Sequence, residues 1–433
     1  SVYVNGQYWG LYELREKFDE EYFKSEDTAS ISSIDILSQS YFYQNVLRSV
    51  AGKPVDTFLA AYDAFKVLNT ASPLYWDSAD HYFDMIYYND YVIGQSWMSN
   101  TDWPQNNIKI YRSDKTNNRY RFAIIDQELA LKPNGWTDCE FDHIDYLLTQ
   151  NPNNPFINIW LKSLQNDRFH NYFINRFADL MNTSYDTSRL RSINTFMYNQ
   201  TLAEMPNEFT RWGDPNNIPA QMSDFYTNYL SLDSELVCRT KNVRDHIQNH
   251  FNLPQQLDIT LDVFPAGSGK VRISTVAPNA YPWKGVYFDG VPIKIEAIPN
   301  PGYSFLHWGA NQQLADTLNP IFLDTLQNVL TFKAYFKALP NYLANEQEFN
   351  SNFVLYPSPA HDQITLFNQN LAILNEGNYE VVNMSGNKIL SGKLNSNEQK
   401  TLISISDLSP GIYFFTIQNR KDRLKWQVKF VKM

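Results

Sequence analysis

Residues Asn100–Glu128 read NTDWPQNNIKIYRSDKTNNRYRFAIIDQE. Asp102 and Asn107 stand five apart, an excursion of two strands is expected next, and Asp126 closes the apolar run Phe122–Ile125. Carboxylate, amide and carboxylate are hard oxygen donors suited to magnesium, and the first carboxylate can also take a hydroxyl proton. Asp, Asn and Pro gather in ordinary turns as well, so the spacing alone leaves a plain loop open. The chain around the stretch has to decide.

At 433 residues the sequence has room for several domains at roughly 100–200 residues each. Apolar residues make up 43% and aromatics 15%, which is enough to fill large cores and argues against disorder over most of the length. No run approaches the roughly 18 apolar residues of a membrane span. The net charge of −10 is uneven: residues 1–256 hold 21 basic and 32 acidic residues, 257–338 hold 6 of each, and 339–433 hold 9 and 8. An acidic first part argues against a nucleic-acid face; it suits basic protein partners, or serves solubility alone. Cys139 and Cys238 lack metal-site spacing, and one disulfide or two buried thiols fit equally well. The sequence opens at Ser1 inside an expected strand, without a leader-like segment.

Upstream of the stretch, Ser1–Leu14 reads as a hairpin, with Val2 and Val4 alternating and Asn5-Gly6 as a two-residue turn. Glu16–Lys24 reads as a short acidic helix. Apolar residues at helical spacing predict helices over Thr57–Asn69 and Ser78–Met98, and Tyr111 with Tyr120–Ile125 reads as a β-ribbon. Further helices are predicted over Phe156–Leu164, Arg168–Met181, Thr187–Leu202 and Gln221–His250. From Leu257 the pattern changes to short strands, Asp258–Phe264, Lys270–Thr275, Pro292–Ala297, Ser304–Trp308 and Val329–Phe336, a small antiparallel domain. A linker at 339–349 leads to strands Ile364–Phe367, Tyr379–Asn383, Thr401–Ile405 and Ile412–Ile417, spaced as in a β-sandwich. The end is basic, with Arg420, Lys421, Arg423, Lys425, Lys429 and Lys432 against Asp422.

Two segments in order, VNGQYWGLYELREKFD (Val4–Asp19) and NTDWPQNNIKIYR…RYRFAIIDQELA, resemble the CotH family of atypical protein kinases, first known from a bacterial spore coat. Arg211-Trp212 in the helical remainder fits as well. The resemblance implies an α+β fold: a protein-kinase-like domain over 1–256, then two small all-β domains. It implies ATP and Mg2+ (or Mn2+) as cofactors and transfer of the γ-phosphoryl to Ser or Thr of a protein partner. By position, Asp102 corresponds to the catalytic base, and Asn107 and Asp126 to metal ligands. Glu16 falls where the family's acid near the nucleotide-holding hinge follows the hairpin. The family closes with W-D-x-D; here Ile125 replaces the Trp and Glu128 the second Asp, so Glu128 becomes the expected third ligand. The phosphate-covering segment and its basic residue belong upstream of such a hairpin, so the domain is expected to lack its N-terminal part.

The segment GSGKVRISTVAP…YFDGVPIKIEAIPNPGYSFLHWGAN…LTFKAYF resembles a divergent InlB-type B-repeat, placed at 257–338 as a spacer. YPSPAHDQITL, VVNMSGNKIL and ISISDLSPGIYFFTI resemble the type A C-terminal sorting domain of the type IX secretion system, placed at 350–433. That resemblance implies the secretion machinery as a partner and a secreted or cell-surface location, with a signal peptide expected upstream of Ser1. Gly267-Ser-Gly269-Lys270 lacks the first glycine, the metal-binding hydroxyl and the following helix of a phosphate loop. His246 and His250 lie four apart on a predicted helix without an acidic third ligand nearby in sequence, so surface histidines near a helix end are the expectation. Against the kinase stands a reading from another class, a non-catalytic cell-surface binding or structural protein that keeps the fold.

Overall fold

The computed structural model describes every residue except 28–32, 42–43, 310–316, 327–329, 340–352, 369–376, 395–397 and 420–424. The expected linker beyond Leu339 and tail residues Arg420, Lys421, Asp422 and Arg423 lie outside the described residues. The chain forms two compact units. One comprises Ser1–Val263, Lys270–Ile298 and His307–Ala334; the other comprises Phe264–Gly269, Pro299–Leu306 and Tyr335–Met433. Helices and sheets are mixed in the first and strands make up the second, the α+β class expected from the sequence.

Strands β1 (Val2–Val4) and β2 (Gln7–Gly10) form the expected hairpin, with Asn5 and Gly6 both at positive φ in the turn. The return strand stops at Gly10, short of Leu14. Helix α1 (Glu20–Asp27) starts four residues later than expected because Asp19 caps it, its Oδ1 accepting the N–H groups of Glu21 (3.1 Å) and Tyr22 (3.3 Å). Glu16 is therefore left on an exposed, irregular stretch.

Two strands follow that the sequence pattern did not announce, β3 (Asp35–Gln39) and β4 (Arg48–Ala51). All five residues of β3 are buried, so the strand shows none of the alternation that marks a half-exposed one. After α2 (Asp56–Lys66), the helix expected over Ser78–Met98 is two, α3 (Tyr75–Asp80) and α4 (Met85–Met98). The chain between them bonds to Tyr120: its carbonyl accepts from Asp84 N–H and its own N–H donates to Tyr82. Asp84 then caps α4 at Tyr87 N–H, a break that periodicity cannot show. Strands β5 (Ile108–Arg112) and β6 (Arg121–Phe122) complete a sheet of order β4-β3-β5-β6.

Helices α5 (His143–Leu148), α6 (Pro155–Ser163), α7 (Asp167–Met181), α8 (Thr187–Leu202), α9 (Met205–Trp212) and α10 (Ile218–His250) follow; α5 and α9 were not expected. Helix α9 holds the hairpin: Glu208 Oε2 accepts from Tyr8 Oη (2.9 Å) and Leu11 N–H (2.8 Å), and Trp212 Nε1 donates to Trp9 O (2.7 Å). A Cβ on Gly10 would stand 3.0 Å from Trp212 Nε1, so this close approach requires glycine.

Next come β7 (Gln256–Phe264), β8 (Gly269–Ile273), β9 (Trp283–Phe288), β10 (Ile293–Pro299), β11 (Tyr303–Trp308), β12 (Ile321–Leu323) and β13 (Leu330–Ala338). Within the first unit β7 pairs with β9, and α7 and α10 fasten to this region through buried polar groups. Asp179, wholly buried, accepts from Tyr287 Oη (2.7 Å), Thr275 N–H (3.0 Å) and Thr275 Oγ1 (2.6 Å). Arg244 donates to Val286 O (3.0 Å) and Asn182 Oδ1 (2.8 Å). No phosphate loop forms at Gly267–Lys270, where the chain enters β8.

In the second unit, β14 (Phe353–Tyr356), β15 (Gln363–Asn368), β16 (Gly377–Asn383), β17 (Lys388–Leu394), β18 (Lys400–Ser404), β19 (Gly411–Asn419) and β20 (Lys425–Lys432) form the expected sandwich. Its sheets have orders β14-β15-β18 and β17-β16-β19-β20 around Ile364, Val381, Ile403, Phe415, Ile417 and Phe430.

Candidate functional site

Helix α4 ends where Ser99 adopts the left-handed conformation and donates its N–H back to Gln95 O and Ser96 O. The chain then turns through Thr101–Asn106, pinned by Trp103, which is fully buried and meets Tyr91 edge-on at 5.6 Å. This turn presents Asp102. Its Oδ2 accepts from Asn106 Nδ2 (2.7 Å) and Asn107 Nδ2 (2.9 Å), while among the described residues nothing donates to Oδ1. Two amide donors on one oxygen fix the carboxylate's orientation and leave the other oxygen open.

Asn107 enters β5 with φ 53°, and Asp126 leaves the β6 side with φ 58°. Left-handed backbone is uncommon outside glycine, and Asn and Asp tolerate it best. Both expected ligand positions share it. Asp126 and Glu128 are exposed, with Gln127 between them turned inward. Hydrogen bonding to Glu128 is the main reason that the Asp126 carboxyl is pushed up; burial and the negative charges of Glu128 and Asp102 add to it, and Asn107 acts against them. Glu128 is held below the usual carboxylate range, first by its bond with Asp126. The two acids thus push each other's pKa in opposite directions, as neighbouring carboxylates do.

The structure therefore brings Asp102, Asn107, Asp126 and Glu128 into one neighbourhood. It does not join Glu16 to them: among the described residues no hydrogen bond or ion pair links Glu16 to any of the four. The adjoining residue, Arg15, does reach their field. Its bond to Glu13 raises its pKa first, and the charges of Glu128 and Asp126 raise it further. No sequence signal marked Arg15 off from its neighbours.

Two carboxylates and one amide oxygen form an all-oxygen donor set that matches magnesium or manganese. The charges of Glu128 and Asp102 both raise the Asp126 pKa, so a cation there would relieve repulsion. The donor set fits the ion. Among the described residues, the three potential ligands that converge within 4.8 Å are instead Cys139, Glu235 and Cys238, and those two thiols form a disulfide. That pairing resolves the alternatives left by the sequence.

Several supporting residues escaped sequence reasoning. Arg239 on α10, fully buried, donates to four backbone carbonyls: Trp97 (2.8 Å) and Ser96 (2.8 Å) at the end of α4, and Phe141 (2.7 Å) and Cys139 (3.3 Å). His143 lies beneath the Asp102 turn with Nε2 3.0 Å from Asn100 O, and burial pushes its pKa down to about 3. Neutral His143 thus donates from Nε2. His246 and His250 do find an acid, Asp142, at 3.7 and 2.9 Å, brought from a loop over 100 positions away. Burial is the first cause of the lowered His246 pKa.

A family model described as CotH kinase protein matches residues 1–247, and one described as Secretion system C-terminal sorting domain matches residues 354–433. No curated protein matches the chain. Among solved structures, PorZ, described as an essential bacterial surface component of the type-IX secretion system of Porphyromonas gingivalis, aligns at 10% identity and a TM-score of 0.16. The alignment covers 34% of this chain and 29% of PorZ, and nothing is inferred from it. Among the described residues no helix is long and apolar enough to cross a membrane.

Proposed function

The chain belongs to the CotH kinase family, and we propose that it is an exported member that transfers the γ-phosphoryl of ATP to Ser or Thr of a protein partner. The sorting-domain match marks the chain as secreted or cell-surface, and a disulfide is the covalent state expected of an exported protein. Recognition by the secretion machinery falls to the sandwich, residues 350–433 by the sequence reading.

The observation that carries the proposal is the convergence of Asp102, its two asparagine donors, and the Asp126–Glu128 pair. Asp102 Oδ1 accepts the acceptor hydroxyl's proton as that oxygen bonds to the γ-phosphorus. The bond to the bridging oxygen breaks, and ADP leaves. Asn107, Asp126 and Glu128 would hold magnesium or manganese, which supplies charge neutralisation at the phosphates. Glu16 is proposed for the nucleotide's base and ribose, and Arg15 beside it faces the same acidic field.

Asp102→Asn should lower radiolabel transfer from ATP by about 100-fold or more, the lower range for loss of a general base, while nucleotide still binds. Asp126→Ala should abolish magnesium-dependent nucleotide binding. Unchanged binding in Asp126→Ala would overturn the assignment. Binding without transfer in the unaltered chain would favour the cell-surface binding protein, for which Ile125 and Glu128 in place of the family's Trp and Asp already speak.

A further inference from the structure

Three amide side chains from separate segments meet behind the site. Gln95, on the last full turn of α4, is fully buried; Asn100 precedes the Asp102 turn; Gln127 sits between Asp126 and Glu128. Gln95 Oε1 accepts from Asn100 Nδ2 (2.8 Å) and from Gln127 Nε2 (3.1 Å). Asn100 Oδ1 in turn accepts the N–H of Asp102 (3.1 Å), and Gln127 Nε2 also donates to Ile125 O (3.0 Å).

This chain of bonds ends on two backbone groups of fixed polarity, Asp102 N–H and Ile125 C=O. Each amide is therefore held in one orientation, because turning any one would face donor to donor or acceptor to acceptor. The helix passes close to this segment at Gly94, where a Cβ would stand 2.5 Å from Ile124 Cδ1, the tip of a side chain that would have to turn aside. Along this irregular stretch 126 and 128 are exposed while 127 is half-buried.

We propose that Gln95 is a positioning residue that couples the two halves of the site, the Asp102 turn and the Asp126–Glu128 segment. The proposal rests on the reading of those residues as base and metal ligands. Gln95 touches neither reactant nor metal; one oxygen sets the place of both halves relative to α4. Losing that acceptor leaves Asn100 Nδ2 without its partner and removes one of the two bonds of Gln127 Nε2, and the halves should loosen together.

The full chain tests this with Gln95→Leu, Gln95→Glu, Gln127→Leu and the double variant Gln95→Leu/Gln127→Leu. Hydrogen exchange of the metal-free protein should rise in Gln95→Leu in both 99–107 and 123–130. Mn2+ titration should show a loss of about 10–100-fold, the usual cost of removing a residue that orients a metal ligand. Gln127→Leu should weaken Mn2+ comparably, and the double variant should lose no more than the worse single one. Gln95→Glu, which keeps an acceptor, should restore most of the affinity and the slow exchange, which loss of packing alone would not predict. Faster exchange in only one segment, or Mn2+ losses that multiply in the double variant, would overturn the coupling. If the unaltered chain takes up no Mn2+, the metal reading fails, and the exchange experiment alone still decides for or against the coupling.

Discussion

Replacing Arg239 by Met should unlatch the end of α4 without changing the size of the side chain much. The guanidinium makes three bonds of 2.7–2.8 Å and one of 3.3 Å, all to backbone carbonyls, two of them at the C-terminal end of α4. Those two belong to the last turn of α4, where Ser96 O also accepts a backbone N–H, that of Ser99, and they carry the negative end of the helix dipole. Hydrogen bonds from a charged donor contribute roughly 1.5–3 kcal/mol each, so the three short ones at the low end sum to about 4.5 kcal/mol. Relief from burying a cation, and water reaching the freed carbonyls, offsets about a third of that. A net loss of about 3 kcal/mol is expected, a large part of the roughly 5–15 kcal/mol of a folded domain. Urea unfolding followed by tryptophan fluorescence measures it, with Trp97 and Trp103 flanking the affected turn. Arg239→Lys, a point charge that cannot span four acceptors, should recover less than half. A loss below about 1 kcal/mol for Arg239→Met would refute the latch.

Two further outcomes follow from groups around the same turn. Reducing and alkylating Cys139–Cys238, which closes a loop of sequence separation 99, should lower stability by about 2–4 kcal/mol in urea unfolding, with the backbone amides around 139–141 the first to exchange; an unchanged midpoint would contradict it. For His143 the folded pKa of about 3 lies below the ordinary value of 6.5, so its contribution is present above pH 6.5 and is lost as pH falls from there towards 3. At about 1.4 kcal/mol per pH unit, acidification from pH 6.5 to 5 should cost about 2 kcal/mol, and His143→Gln should flatten that part of the profile.

The elements legible in the sequence were those whose pattern meets solvent on one side. The hairpin turn at Asn5-Gly6, helices α6, α7, α8 and α10, and the sandwich strands β15, β16, β18 and β19 came within a few residues, whereas β14, β17 and β20 were not expected. Strand β3 was missed because burial on both faces erases alternation. The break between α3 and α4 was missed because its cause, Tyr120, lies well downstream. The same holds at the site. Asp102, Asn107 and Asp126 could be singled out by spacing together with the family resemblance, but Gln95, Arg239 and His143 acquire most of their meaning from partners far along the chain, as with Gln127 and Gln95 or Arg239 and Ser96, 32 and 143 positions apart. A buried polar residue has no periodic signature, since it is placed by what it must bond to.

The choice between a plain turn and a ligand site turns on Asp126. Asn107 proves little, because an asparagine at positive φ ahead of a strand is what a tight turn favours. Asp126 has the same backbone conformation, and there too asparagine would serve without charge. The chain instead carries a carboxylate there, whose pKa is raised first by hydrogen bonding to Glu128, then by burial and the charges of Glu128 and Asp102. An acid chosen for a turn bonds backbone N–H groups, as Asp19 does at Glu21 and Tyr22. Asp126 has another acid as its first partner, an arrangement that disfavours the ionised fold. Local rules broken without a structural gain point to functional positions, which is why Asp126 is proposed as a cation ligand.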